Sequence, residues 1–95
     1  MAIVVETLVP EASRAQAERF DATVEAAMMQ RGGPPAGLMV HLTRPVGDGF
    51  VLSNIWRSET KMRQFYADVV LPKLAAGALE HEESIVSPVW TFARP

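Results

Sequence analysis

Two spacings of apolar residues alternate along the chain. Residues 2–9, AIVVETLV, are short, rich in β-branched types and stopped by Pro10, the pattern of a strand. From Glu11 to Arg31 the period lengthens. Ala17, Phe20, Val24, Ala27 and Met28 recur at three- and four-residue steps, with Arg14, Glu18, Asp21 and Glu25 between them. One apolar stripe on a charged background predicts an amphipathic helix. Glu11 and Glu18 lie early and Arg31 last, which suits the helix dipole. Gly32-Gly33-Pro34-Pro35 ends it, because glycine accepts a left-handed cap and proline forbids continuation.

Residues 37–44, GLMVHLTR, alternate again. The expectation is a strand with Leu38, Val40 and Leu42 toward the helices and Met39, His41 and Thr43 on the opposite, open face. Residues 45–49 form a turn with Asp48-Gly49 as its hairpin signal, and FVLSNIW, 50–56, is a third strand. Ser58 is an N-cap, Glu59 sits in the first turn, and Met62, Phe65, Tyr66 and Val69 form the buried stripe of a second helix. Pro72 should kink or restart it near Leu71; Leu74 and Leu79 continue the apolar pattern, and Gly77 is a stop. The run 80–83 reads as a solvated connection. Residues 84–93 form a last strand, which Pro88 confines to an edge or a bulge.

The order β, α, β, β, α, β, without a linker or low-complexity segment, predicts one α+β domain over residues 1–95. It is a ferredoxin-like βαββαβ unit: a four-stranded antiparallel sheet with two helices on one face. Strands one and three are expected side by side in the middle, as the sheet's one parallel pair, with two and four outside. An uncovered sheet face should alternate with polar residues. Here strand one carries Ile3 and Val5 on one parity, Val4 and Leu8 on the other. Strand three carries Val51 and Ile55 against Phe50, Leu52 and Trp56. Strand four carries Ile85 and Val89 against Val86, Trp90 and Phe92. Four strands of ordinary length present a face of roughly 350 Å², near what a soluble monomer tolerates. The reading is a homodimer packed sheet to sheet; the competing one folds segment 77–83 over the face.

Composition supports a partner or a pocket. In 95 residues, 48% are hydrophobic, more than so short a chain buries by itself. Cysteine is absent, which excludes disulfides, thiolate metal sites and cysteine nucleophiles and fits the cytoplasm. Net charge is −2, with the basic residues scattered, so nucleic-acid binding has no electrostatic footprint. The N-terminus is not a signal peptide, and no apolar stretch is long enough to span a bilayer.

The chain resembles the dimeric α/β-barrel superfamily, in particular small bacterial proteins related to antibiotic biosynthesis monooxygenases. Nearly the whole chain carries the likeness. Its residues are Gly33-Pro34-Pro35-Ala36-Gly37-Leu38, His41, Asp48-Gly49-Phe50, Trp56-Arg57-Ser58, Phe65, Leu71-Pro72 and Pro88-Val89. The resemblance implies the fold and the dimer more than any chemistry, because the superfamily hosts cofactor-free oxygenases, haem degraders, isomerase-like enzymes and proteins without a known reaction.

Candidate chemistry gathers on a few residues. On the open face, His41 could act as a base or hydrogen-bond donor in a dimer cavity, since its pKa lies near neutral; the bland reading is a strand histidine satisfied by a neighbour. Met39 and Thr43 share its parity and would contact the ligand. Asn54 is a polar amide on an apolar strand, either a cavity group or a sheet-edge accessory. Tyr66, the sole tyrosine, could send its hydroxyl to the cavity mouth or to water. Trp56 reads as a plug under the second helix, whereas the resemblance implies an aromatic bordering the pocket.

The resemblance also implies an Asn, Trp and Tyr set that binds a polyphenolic substrate and stabilises its anion. Asn54, Trp56 and Tyr66 supply the types, yet Asn54 stands only two positions before Trp56, and Leu52 occupies the upstream place. Haem degraders of the fold need a histidine late in the second helix. Positions 58–76 contain none, and His81 lies beyond a glycine, so haem is disfavoured. No cofactor and no metal are expected: His81-Glu82-Glu83 is a solvated run without ligand spacing. Neither a phosphate-loop pattern nor a nucleophile elbow occurs. Two functions remain open: a cofactor-free monooxygenase- or isomerase-like enzyme on a small aromatic or polyketide-type ligand, with His41 and Asn54 catalytic, and a non-catalytic dimeric binding or stress-associated module.

Overall fold

A computed structural model describes residues 1–91. Strand β1 (Ile3–Val9) leads to helix α1 (Arg14–Gln30), then to β2 (Leu38–Val46) and β3 (Gly49–Trp56). A second helical run follows: α2 (Glu59–Phe65), a π-helical turn (Tyr66–Val70) and α3 (Leu71–Ala76). Strand β4 (Ile85–Pro88) comes last. The sheet order is β2-β3-β1-β4, the ferredoxin-like arrangement the element order predicts. Every neighbouring pair is antiparallel, including β1 with β3. The expected parallel pair is therefore corrected. A helical crossover returns the chain so that β2 runs in the same direction as β1, and the hairpin then reverses β3. Pro45 and Pro88 sit in β2 and β4, both edge strands, where a missing N–H costs no ladder bond.

Helix α1 starts at Arg14, three residues after the Glu11 at which the helical period begins. Ser13 caps it in a capping box: its Oγ accepts from Gln16 N at 3.2 Å, and Gln16 Oε1 accepts from Ser13 N at 2.8 Å. Glu11 lies outside the helix at φ 51°, so it does not serve the dipole. Gly32 and Gly33 take the left-handed conformation after the helix, at φ 94° and 123°. In the second run Ser58 Oγ accepts from Lys61 N at 3.2 Å, the cap its position predicts. Pro72 restarts the helix where its position predicts: α3 begins at Leu71 with Pro72 in its first turn. The widened turn before it absorbs the strain: Leu71 N–H bonds Tyr66 O, five residues back, as π-helical geometry requires. The widening keeps Met62, Phe65, Tyr66, Val69, Val70 and Leu74 on one buried stripe.

The core lies between sheet and helices. Ile3, Val5, Thr7 and Val9 of β1 and Phe50, Leu52, Asn54 and Trp56 of β3 point into it. Phe20 of α1 and the stripe of the second run cover them. The β2–β3 turn consists of Gly47-Asp48, with Val46 paired to Gly49 and the positive φ at Gly47. The hairpin glycine is thus Gly47, not Gly49. Gly49 is demanded by crowding instead, since a Cβ there would lie 2.1 Å from the Val9 carbonyl oxygen.

Among the described residues, no helix covers the opposite face. By register, Val4, Leu8, Val40, Leu42, Val51, Ile55 and Ile85 lie on it, with Glu6, Arg44, Ser53 and Ser87. Glu6 and Arg44 stand 4.0 Å apart as an ion pair. Val40, Leu42 and Ile85 are 40%, 45% and 66% exposed. Segment 77–83 does not cover them: Leu79 packs on the core side, and Glu82 N bonds Leu8 O at the end of β1. Strand β4 is shorter than the apolar run implied. Trp90 lies past it, 88% exposed, and Phe92 falls outside the described residues. No helix among the described residues is long and apolar enough to cross a membrane.

Candidate functional site

The site arises from an irregularity in β2. Leu38 pairs with Trp56 and Val40 with Ile55. Two residues of β2 therefore advance while β3 advances one, and Met39 is the extra residue of a bulge. The bulge inverts the alternation from Val40 onward. Leu38 faces the helices as expected, but Val40 and Leu42 turn to the open face. His41 and Thr43 turn inward, which corrects their expected orientation. A strict period of two cannot anticipate such a flip.

At the edge of the core, His41 meets two elements. Its Nδ1 lies 2.8 Å from Asn54 Oδ1 on β3, and its Nε2 lies 3.3 Å from Asp21 Oδ1 on α1. Thr43 Oγ1 donates to Asp21 Oδ2 at 3.0 Å, which fixes the carboxylate. Asn54 Nδ2 donates to the Tyr66 hydroxyl at 2.7 Å. Asn54 is 7% exposed and Tyr66 6%, so these bonds meet the demand that buried polar atoms be paired. The result is a chain, Asp21–His41–Asn54–Tyr66, running from a half-exposed carboxylate into the core. Hydrogen bonding to Asp21 is the main cause holding the His41 pKa above its ordinary value; burial opposes it, and Asn54 and the Asp21 charge add to it. Burial pushes the Tyr66 phenol up to about 12, while hydrogen bonding with Thr7 and Asn54 pulls the other way. Tyr66 is accordingly neutral across the physiological range.

The chain borders a cavity of about 290 Å³. Phe20, Val24, Met28, Leu38, Phe65 and Val70 are among its apolar walls, while Asp21, Glu25, His41, Asn54 and Tyr66 supply the polar groups. A mainly apolar hollow with a few converging polar groups is the usual form of a small-molecule site. His41, Asn54 and Tyr66 come together as lining residues. Met39, Thr43 and Trp56 do not line it: Met39 is spent in the bulge, Thr43 holds Asp21 from beside it, and Trp56 is completely buried. Trp56 stacks against Phe65 at 5.7 Å between ring centres, the plug under the second helix. Among the described residues its Nε1 is buried without a partner. In the sequence Asp21 and Glu25 stand only as charges beside the apolar stripe. Their signal was the four-residue spacing that puts both on one helix side. Among the described residues, no group of three or more His, Asp or Glu is placed to hold a metal ion.

No family profile matches the chain, and no curated protein matches its sequence. Solved structures do resemble it. SnoaB, a cofactor-independent oxygenase from Streptomyces nogalater, is 21% identical with a TM-score of 0.66, over 96% of this chain and 94% of that one. A protein from Deinococcus radiodurans described as an antibiotic biosynthesis monooxygenase is 15% identical with a TM-score of 0.62, over 100% and 98%. Another so described, from Chloroflexus aurantiacus, is 13% identical with a TM-score of 0.61, over 98% of each chain. At these identities the likeness is one of fold. That fold is the one implied by the resemblance to antibiotic biosynthesis monooxygenase-like proteins.

Proposed function

We propose that the protein is a homodimer that binds a small aromatic or polyketide-type molecule with an ionisable hydroxyl group and oxidises it with dioxygen, using no cofactor. The observation that carries the reading is the polar chain Asp21–His41–Asn54–Tyr66 at one side of an otherwise apolar cavity. Such a chain suits an aromatic oxyanion. In this reading the Asp21–His41 pair takes the hydroxyl proton. Tyr66, protonated at all relevant pH, then donates to the oxygen left behind. The resulting phenolate or enolate carbon is electron-rich enough to react with dioxygen directly. One oxygen atom then ends as a ring carbonyl, and the other leaves as water with the hydrogen of the oxidised carbon and the hydroxyl proton held by the Asp21–His41 pair. Isomerisation of an enolisable substrate would use the same proton transfers. The named activity of SnoaB supports the choice of oxygenation.

Oxygen consumption with a panel of hydroquinones and anthrones tests this. Turnover by the native protein, lost in His41→Ala and Asn54→Ala, is expected. A panel that neither binds nor turns over defeats the reading.

One observation favours a second reading, a non-catalytic binding module. All four polar side chains already satisfy one another, as a structural network would. Thermal melts separate the two: His41→Ala that lowers stability yet leaves ligand protection intact supports the structural role.

A further inference from the structure

The direction of each hydrogen bond in the chain is constrained by its ends. The Asp21 carboxylate can only accept, so His41 Nε2, 3.3 Å away, must carry a hydrogen. Asn54 Oδ1 also can only accept, so His41 Nδ1, 2.8 Å away, must carry one too. In this arrangement the ring is an imidazolium. Asn54 then gives Nδ2–H to the Tyr66 oxygen at 2.7 Å, and the Tyr66 hydrogen is free for Thr7 or for a molecule in the cavity.

Removal of one His41 proton makes this arrangement untenable. The remaining hydrogen stays on Nε2, where the carboxylate makes its bond charge-assisted. The Nδ1 lone pair would then face the Asn54 carbonyl oxygen, two acceptors at 2.8 Å. A half-turn of the amide removes the conflict at no steric cost, because its oxygen and NH₂ group are nearly the same size. After it, Asn54 donates to His41 Nδ1, and its carbonyl oxygen accepts the Tyr66 hydrogen. All bonds are again satisfied.

We propose that Asn54 is a two-position relay, whose amide turns over when His41 changes its proton count and releases the Tyr66 hydrogen only while both ring nitrogens are protonated. The cavity thereby presents its phenol as a donor when His41 has gained a proton, and as an acceptor when His41 is neutral. In the oxygenase reading, a substrate hydroxyl would displace the Asn54 donor from His41 Nδ1, and the proton it gives there would itself switch Tyr66 into the donor that an oxyanion needs. The relay is a property of the free protein and does not depend on turnover. The ionisable groups facing His41 are Asp21 and Glu25 from α1 and Tyr66 from the π turn. Asp21 sets which nitrogen keeps the last hydrogen.

Tyr66 is the only tyrosine and His41 one of two histidines, so selective labelling resolves both ends. With ¹³C at the tyrosine Cζ and ¹⁵N in the imidazoles, ligand-free protein is titrated by NMR. The Tyr66 resonance should step at the His41 midpoint. In Asn54→Leu, His41 should still titrate and the Tyr66 step should vanish. A flat Tyr66 resonance in the native protein overturns the relay. So does an unchanged step in Asn54→Leu, which would mean that the ring's charge acts through space. If Asn54→Leu does not fold, the native Asn54 side-chain ¹⁵N resonance decides: it must move with the His41 midpoint, and constancy refutes the turnover.

Discussion

Asp21 on α1 and His41 on β2 meet at 3.3 Å across the gap between helix and sheet, 20 residues apart in sequence. The contact fixes the sign of a pH dependence. The folded His41 pKa is raised, so the contact stabilises fully below the unfolded value of about 6.5. That stabilisation is lost as pH rises through the raised folded value. The pair is more than one-third exposed on both sides, so solvent screening limits its worth to roughly 0.5–1 kcal/mol. Asp21→Asn should bring the His41 NMR midpoint down and remove this part of the difference between melts at pH 6 and pH 8. An unmoved midpoint would show that Asp21 does not govern His41.

Tyr66 gives a second linkage, at the alkaline end. Its phenol titrates near 12 when folded and near 10 in an unfolded chain. The folded state thus holds the proton more tightly, and stability falls as pH climbs from about 10 to about 12, by on the order of 2–3 kcal/mol. Phenolate absorbance follows this directly, because no other tyrosine contributes. A native midpoint near 10 would mean that water reaches the hydroxyl.

The elements and their order were readable because each apolar period is unambiguous: the stripe from Ala17 to Met28 cannot be a strand, and Ser58 cannot be mistaken for helix interior. What misled was strict alternation in β2. Leu38, Val40 and Leu42 look like one face, yet the bulge at Met39 divides them. Nothing local announces a bulge here, because the cause lies in pairing with β3. His41 and Asn54 were visible as unusual polar residues on apolar strands, whereas Asp21 looked like any solvated helix acid. Its role appears only when α1 is laid across β2. Trp56 shows the reverse: a residue type suited to a pocket is used as core filling because its parity points beneath α2.

Two glycines in the hairpin should respond differently to alanine. Gly49→Ala sets a Cβ against backbone atoms, the Val9 carbonyl oxygen and Pro10 Cα, at 2.1 and 2.8 Å. Two strands must part to admit it, so a loss at the upper end of about 1–3 kcal/mol is expected. Gly47→Ala meets open space, and only its φ of 57° is strained, which costs roughly 1–2 kcal/mol. Denaturant melts should rank Gly49→Ala as the more damaging, and the opposite order would contradict the crowding argument.

The bare sheet face makes the last prediction. Val40, Leu42 and Ile85 stand 40–66% exposed beside Val4, Leu8 and Ile55, an apolar surface that water penalises. In a homodimer, the Glu6–Arg44 pair that crosses it would be desolvated and would need partners across the two-fold axis. The sheet alone offers roughly 350 Å² per copy, less than the ~800 Å² per partner of a standard interface. Residues beyond the strands must therefore join, and Trp90, 88% exposed just past β4, is the first candidate. Light scattering at micromolar concentration should give twice the chain mass. Leu42→Lys should return it to one, because the interface would have to bury a charge on this face. Trp90→Ala should weaken the dimer while leaving the fold intact by circular dichroism. A native protein that elutes as a clean monomer would end the dimer reading and leave the cavity to serve each copy alone.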